Sequence, residues 1–401
     1  MVKVLSLITN NTLADGIAKH ILNIAGYFAQ HPEMKVEPAV CIVKPEGDLS
    51  CALRQAGVKV YCLDCSHGHD WRILRRFPKV LNEFRPDVIH AHVTAMLERV
   101  YLHCFAGKLP VVTTTHGIIL EDLQKNRHFS RRERRERRLG QLFSLNIRKH
   151  IYISRGVRDF YRDFEQEVIY NPVDFSGAST PTGKLRNLLG VGPDAPVIGT
   201  ACRISATKNP HAFTRVMCDV LQQVPDCHAV VCGSADTEEL MTELRTVVRQ
   251  AGVEERFHWL GYRPDAAELT RDLNCFVMTS VAEGFPTALL EAMAAKVPAA
   301  FMETSGGMLD VAQLHREFGP LGIVTAAGEE HVMAQGIAAL LGDPVKAAEY
   351  AERAFRLGQQ KFDIRIITQQ LAEVYREVGQ SENLLRKPPV SAQEGSARGD
   401  L

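Results

Sequence analysis

No Asp-x-Asp occurs anywhere in this 401-residue chain, no Gly-x-Gly-x-x-Gly follows its first apolar run, and no apolar stretch is long enough to cross a bilayer. Each absence removes a class of function. Without paired aspartates, a metal clamped on a diphosphate by that device is excluded. Without the glycine fingerprint, a dinucleotide-dependent dehydrogenase loses its main support. A membrane-spanning helix needs roughly 18 to 20 apolar residues, so any membrane contact is expected to be peripheral. Net charge is absent too: 47 basic and 47 acidic residues cancel, which argues against a generic nucleic-acid binder. The ten cysteines sit partly inside apolar runs with no secretory leader before them, and read as reduced thiols in the cytoplasm. Cys62 and Cys65 form a lone CxxC with no second pair at ligand spacing, so no metal site is expected.

What is present is alternation. Strand-like runs (VKVLSLIT, VEPAVCIV, VKVYCL, DVIHAH, VVTTTH, HIYIS, then VIGTACRI, HAVVCG, FHWLG, CFVMTS, PAAFME) are separated by helical patterns in both halves. That pattern predicts an α/β protein with two parallel sheets flanked by helices. The length exceeds one ordinary hydrophobic core, and the small, polar FSGASTPT from Phe175 suits a hinge. A first Rossmann-like domain is therefore expected over 1–178 and a second over 179–362. An amphipathic helix should occupy 363–378, and the polar, Pro-bearing stretch 379–401 should be a disordered tail. Two doubly wound domains would face each other across a cleft at the carboxyl ends of their strands.

The most specific stretch is Glu283-Gly-Phe-Pro-Thr-Ala-Leu-Leu-Glu291. Pro286 suits the first position of a helix, which leaves Glu283 in the preceding loop and lets Gly284 turn it tightly. The N–H groups at Thr287 and Ala288 would then lack intrahelical acceptors at the positive end of the helix dipole, ready for phosphate oxygens. Glu291, about a turn and a half further on, is placed to accept from vicinal hydroxyls. Arg203, near the end of the VIGTACRI run, and Lys208 lie just after the strand that the run forms. With no paired aspartates in the chain, they are the candidates to neutralise a departing diphosphate.

These residues resemble the family 4 glycosyltransferases, retaining enzymes of the GT-B fold. Further matches come in family order: Asp15-Gly16 after the first strand, His116 in TTTHG, Ser154 in YIS, YNPVD at 170–174, and Arg203 with Lys208. The resemblance implies that Glu283 and His116 meet the transferred sugar, Glu291 the ribose, and Arg203 and Lys208 the diphosphate. It also implies that Gly16, Gly233, Tyr262, Gly284, Phe285, Pro286, Thr287, Ala288 and Leu289 line the donor site. The helix at 363–378 would cross back to the first domain. The implied activity is retaining transfer from a UDP-sugar or GDP-mannose to a glycan or lipid-linked glycan, in polysaccharide or lipopolysaccharide synthesis, with no cofactor and no divalent metal. A GT-B-fold epimerase or phosphorylase, or a catalytically silent nucleotide-sugar-binding scaffold, would share much of this signature. The chain departs from the family at Cys202 before Arg203, at Asp15 where a glycine is usual, and at Asp310 where the Gly306-Gly307 loop usually ends in Glu; Asp310 is assigned no role.

Two features remain. His90 and His92 alternate at the end of one strand and so share a face, but with no acidic or cysteine partner at ligand spacing they read as cleft-lining. The segment Lys125 to Arg138 holds eight basic and two acidic residues, and WRILRRFPK from Trp71 adds a second basic amphipathic stretch. Both suit either a solvated helix face or a landing surface for anionic lipid at the cytoplasmic side of a membrane.

Overall fold

In the computed structural model the described residues are 1–13, 16–68, 70–92, 109–118, 147–161, 166–177 and 179–385. Asp15 and the basic segment Lys125 to Arg138 lie outside them. Among the described residues, seven strands form the first sheet and six the second, all pairing in parallel. The first sheet contains β1 (Val2–Ile8), β2 (Val36–Ile42), β3 (Lys59–Cys62), β4 (Val88–Ala91), β5 (Val111–Thr115), β6 (Ile147–Tyr152) and β7 (Gln166–Val168), in the order β3-β2-β1-β4-β5-β6-β7. The second contains β8 (Val197–Ala201), β9 (His228–Cys232), β10 (Phe257–Gly261), β11 (Cys275–Met278), β12 (Ala299–Glu303) and β13 (Gly322–Ala326), in the order β10-β9-β8-β11-β12-β13.

These strands are apolar on both faces because helices cover both. The central ones, such as β4 and β11, are buried at every residue. In each sheet the strand order reverses once, between β1 and β4 and between β8 and β11. At such a switch point the helices depart to opposite sides and leave a crevice beyond the strand ends. The loops that emerge there are those after Ile8, Ala91, Ala201 and Met278, and they carry most of the site.

Among the described residues two ties between the halves stand out. After the helix Pro344–Lys361 the chain passes beside Val173, whose N–H donates to the Phe362 carbonyl and whose own carbonyl accepts from Ile364. The helix Ile364–Leu385 then lies on the first sheet, where Ile367, Leu371, Val374, Tyr375 and Val378 share a core with Val4, Val88, Val112 and Ile151. This helix runs seven residues beyond the Val378 boundary read from the sequence; polar composition alone does not end a helix that already has a docked face. The second tie is Asp310, buried in the helix Gly307–Phe318, which accepts from the N–H groups of Arg155 (2.7 Å) and Gly156 (2.9 Å) at the start of the helix Arg155–Tyr161. Burial raises the Asp310 carboxyl above its ordinary range, against the opposing pull of those N–H groups. The residue left without a role in the sequence is thus an interdomain clasp.

Candidate active site

Two loops of the second domain are stitched together at its switch point. Val281 donates its N–H to the Thr207 carbonyl (2.9 Å), and the Thr279 hydroxyl reaches the carbonyls of Lys208 and Asn209. This puts Lys208 Nζ 2.5 Å from Glu283 Oε1, with both side chains largely buried. The Glu283 backbone is fixed from the other side: its carbonyl accepts from the Gly307 N–H at 2.8 Å. A Cβ on Gly306 would collide with that carbonyl, and Gly306 also has a positive φ of 66°, so glycine is required there for two reasons.

The helix that follows is Thr287–Ala294, with Pro286 at its N-cap rather than its first turn, one position from the expected place. The Thr287 N–H is taken by the Phe285 carbonyl, so it is not the free donor the sequence suggested; the Ala288 N–H has no acceptor among the described residues. Phe285 and Leu289 are core residues. Phe285 packs against Tyr170 and Phe362, with ring centroids 4.7 and 5.1 Å away, so these two positions can offer a ligand only backbone. That aromatic cluster joins the YNPVD segment, the donor motif and the crossover to the last helix.

The first domain closes the other side. Gly284 abuts the His116 carbonyl so tightly that any Cβ would collide with it, and Gly117 lies against Gly284 as well. Glu291 lines a 260 Å³ cavity with Gly16, Lys19, His20, Asn23, Asn171, Pro172 and Thr287. Burial raises its carboxyl above the ordinary range, and Lys19 partly offsets this. Gly16 opens the helix Gly16–Gln30, and a Cβ there would meet nothing within 4 Å. Packing therefore does not demand glycine at position 16; it leaves open space at the mouth of this cavity.

Other expected site residues stand apart from this cluster. The Arg203 side chain is 72% exposed and sits 3.5 Å from Asp236, so only Lys208 of the two cations reaches Glu283 here. Gly233 is needed by the fold, since a Cβ would collide with the Cys202 carbonyl where β8 and β9 end side by side. Tyr262 is 56% exposed after β10, the outermost strand.

The sequence reading missed a convergence of histidines. His116, after β5, lies with its Nε2 2.9 Å from Nδ1 of His92, after β4, and the His20 ring packs edge-on against both. The His90 ring lies behind that of His92, tilted by 40°, and is held by Tyr375 (2.6 Å) and Thr114 (2.7 Å). Burial lowers all four, His90 and His116 to about 3 and His20 and His92 well below their ordinary value, so the cluster is neutral at physiological pH. The pairing of His90 with His92 was visible as strand alternation. His20 was not, because only tertiary packing brings its helix there.

Residues 14–176 match the model of glycosyltransferase family 4, and residues 183–357 match that of the glycosyl transferases group 1. Among curated proteins the chain is similar to the lipopolysaccharide core biosynthesis mannosyltransferase LpcC of Rhizobium leguminosarum bv. viciae, 28% identical over 52% of this chain and 58% of that protein. It is also similar to the UDP-Gal:α-D-GlcNAc-diphosphoundecaprenol α-1,3-galactosyltransferase of Escherichia coli, 24% identical over 64% of this chain and 68% of that protein. The chain spans 58% and 62% of the length of the first two relatives it matches. Among solved structures, Anabaena HepE in complex with UDP and glucose superposes with a TM-score of 0.76 at 23% identity, covering 94% of this chain and 100% of that one. WaaG, a glycosyltransferase involved in lipopolysaccharide biosynthesis, gives 0.67 at 14%, covering 93% and 99%. The fold is therefore GT-B.

Proposed function

We propose that this chain, which belongs to the family 4 glycosyltransferases, moves a sugar with retention from a nucleoside diphosphate donor to a glycan or lipid-linked glycan in cell-surface polysaccharide or lipopolysaccharide synthesis. The observation that carries this reading is the Lys208–Glu283 pair at the β8/β11 switch point, with Glu291 one helix face away in a cavity shared with the first domain. Lys208 supplies the charge that a departing diphosphate requires, and Glu283, held by that lysine and by its backbone bonds, orients the sugar rather than attacking it. As the bond from the anomeric carbon to the phosphate oxygen breaks, the acceptor oxygen bonds to that carbon on the same face. Its proton passes to the departing phosphate oxygen, so no protein base is required. A UDP-sugar is the favoured donor, in keeping with the donor named for the Escherichia coli relative; GDP-mannose is second, in keeping with the relatives named mannosyltransferases. The test is product analysis with UDP- and GDP-sugars, with and without a lipid-linked glycan. Acceptor-dependent transfer that preserves the anomeric configuration is expected. Inversion would overturn retention, and conversion of the donor without acceptor would point to an epimerase.

Transfer should not need a divalent metal, because neutralisation of the leaving group falls to Lys208, a cation held beside Glu283. Activity is expected to survive EDTA. Complete loss in chelator, restored by manganese or magnesium, would contradict this.

Peripheral contact with an anionic membrane face is part of the same proposal. No helix of the described residues is long and apolar enough to cross a membrane. Beside the helix Ile73–Phe84, Trp71 is 62% exposed with Arg75 over its ring, but Arg72 is bound to Asp70 and Arg76 to Asp64 and the Leu63 carbonyl. The main charge for docking is thus assigned to Lys125 to Arg138. Binding to anionic vesicles is expected to weaken with salt, since the Debye length falls from about 10 Å at 0.1 M to about 3 Å at 1 M. Replacing Arg131, Arg134, Arg135 and Arg138 with Ser should abolish it. Equal sedimentation with neutral and anionic vesicles would refute this surface.

A further inference from the structure

His20, His92 and His116 come from a helix and two adjacent strand ends, yet each offers one ring nitrogen within 4.8 Å of the other two. Ring centroids lie 4.9 to 5.7 Å apart. A tetrahedral zinc with Zn–N distances of about 2.0 to 2.1 Å needs neighbouring nitrogens about 3.3 Å apart. The His92–His116 pair at 2.9 Å would open slightly and His20 would move in. A second observation is independent of this spacing. His20 is 8% exposed, and its Nδ1 is buried without a well-formed hydrogen bond; the polar group that acts on it is Asn171, whose own Oδ1 is likewise left unpaired. A buried ring nitrogen so poorly satisfied is costly, and an ion would relieve it. His20 also lines the 260 Å³ cavity, so the cluster adjoins space that a small species can enter. His90 is not available as a ligand, both its nitrogens being taken by Tyr375 and Thr114, but its ring, 4.0 Å away, backs the His92 ring.

We propose that His20, His92 and His116 bind a divalent transition metal, zinc foremost, and that the ion blocks transfer instead of promoting it. Three imidazoles with no carboxylate among them select zinc, copper or nickel over magnesium, calcium or manganese. The blocking half rests on the reading of His116 as a contact of the donor sugar, because a ring engaged by an ion cannot also serve the sugar. The Lys208–Glu283 pair lies outside the cluster and keeps its own role.

The two halves are tested separately on the full chain, stripped with chelator and kept in a non-thiol reductant. Titration with cobalt(II) should give visible d–d bands at about one equivalent without the near-ultraviolet thiolate band, and zinc should displace it. His20→Phe and His92→Phe should each abolish these bands, whereas His211→Ala, at a half-exposed surface position, should keep them. X-ray absorption of the zinc-loaded wild type, which needs no variant to fold, should show nitrogen neighbours at about 2.0 Å with imidazole scattering. No visible bands, bands that persist in both histidine variants, or sulfur at about 2.3 Å would overturn the site. Zinc-loaded protein should transfer at least tenfold more slowly than the stripped protein and recover with EDTA, while magnesium should do nothing. Full activity of the zinc-loaded protein would overturn the blocking half. Absence of transfer by the stripped protein with every donor would instead count against the proposed function, and the optical and absorption results would still stand.

Discussion

Glu291→Ala is expected to weaken the binding of free nucleoside diphosphate by about 10- to 100-fold, whereas Glu283→Ala should bind it within a few-fold of wild type and lose turnover. The difference follows from position. Glu291 lines the cavity between the domains, half-buried and under the influence of the Lys19 charge, where a ribose can offer vicinal hydroxyls. Glu283 is bound to Lys208 in the loop before the helix, where the transferred sugar would lie. Hydrogen bonds to a charged group contribute about 1.5 to 3 kcal/mol each, and every 1.4 kcal/mol is about tenfold in affinity. Burial raises the Glu291 carboxyl, so nucleotide affinity should also fall as the solution is acidified and that carboxyl protonates. Calorimetric titration of both variants with UDP and GDP reads the contrast. If Glu291→Ala binds like wild type, the ribose assignment fails.

Acidification should unfold the protein through its buried histidines. In His20, His90 and His92 burial lowers the folded-state value well below 6.5, so the folded chain stays neutral there while the unfolded chain takes up protons as pH falls below 6.5. Stability is therefore flat above about pH 7 and decreases as the pH falls. Each ring that remains neutral costs about 1.4 kcal/mol per pH unit, so at pH 5 the three together remove several kcal/mol from a total stability of about 5 to 15 kcal/mol. Denaturant midpoints measured with EDTA present, between pH 8 and 5, should fall steeply, and His92→Phe should show a shallower fall. A wild-type midpoint that does not change over that range would show that these rings are not held neutral by the fold.

Much of the architecture was legible because the central strands of parallel sheets are apolar on both faces and stand out as unbroken runs. The strands that escaped notice, β7 (Gln166–Val168) and β13 (Gly322–Ala326), are the outer strands of their sheets. The first has only three residues and the second is partly exposed, so neither carries that signal. In the site, the placing of Glu283 in a loop and Glu291 on the helix after it was legible from their spacing, whereas the contact of Lys208 with Glu283, 75 positions away, depends on two loops meeting at the switch point. Phe285 and Leu289 were read as donor-lining since they lie within the same motif, yet their side chains fill the core. Spacing cannot tell a motif's ligand-facing residues from those that anchor it. The Asp310 clasp and the His20 ring depend on contacts between distant segments, 155 and 72 or more positions apart, which no local pattern records.

The most direct test of the donor site is protection of the wild-type chain by UDP, GDP and their sugars, followed by hydrogen exchange at single-residue resolution. A nucleotide in the cleft should slow exchange at Ala288 and its neighbours in the helix Thr287–Ala294 and in the loop carrying Lys208, with little change at the distant outer strand β3. Protection confined to other surfaces, or none at saturating nucleotide with any base, would contradict a donor held between Glu283 and Glu291.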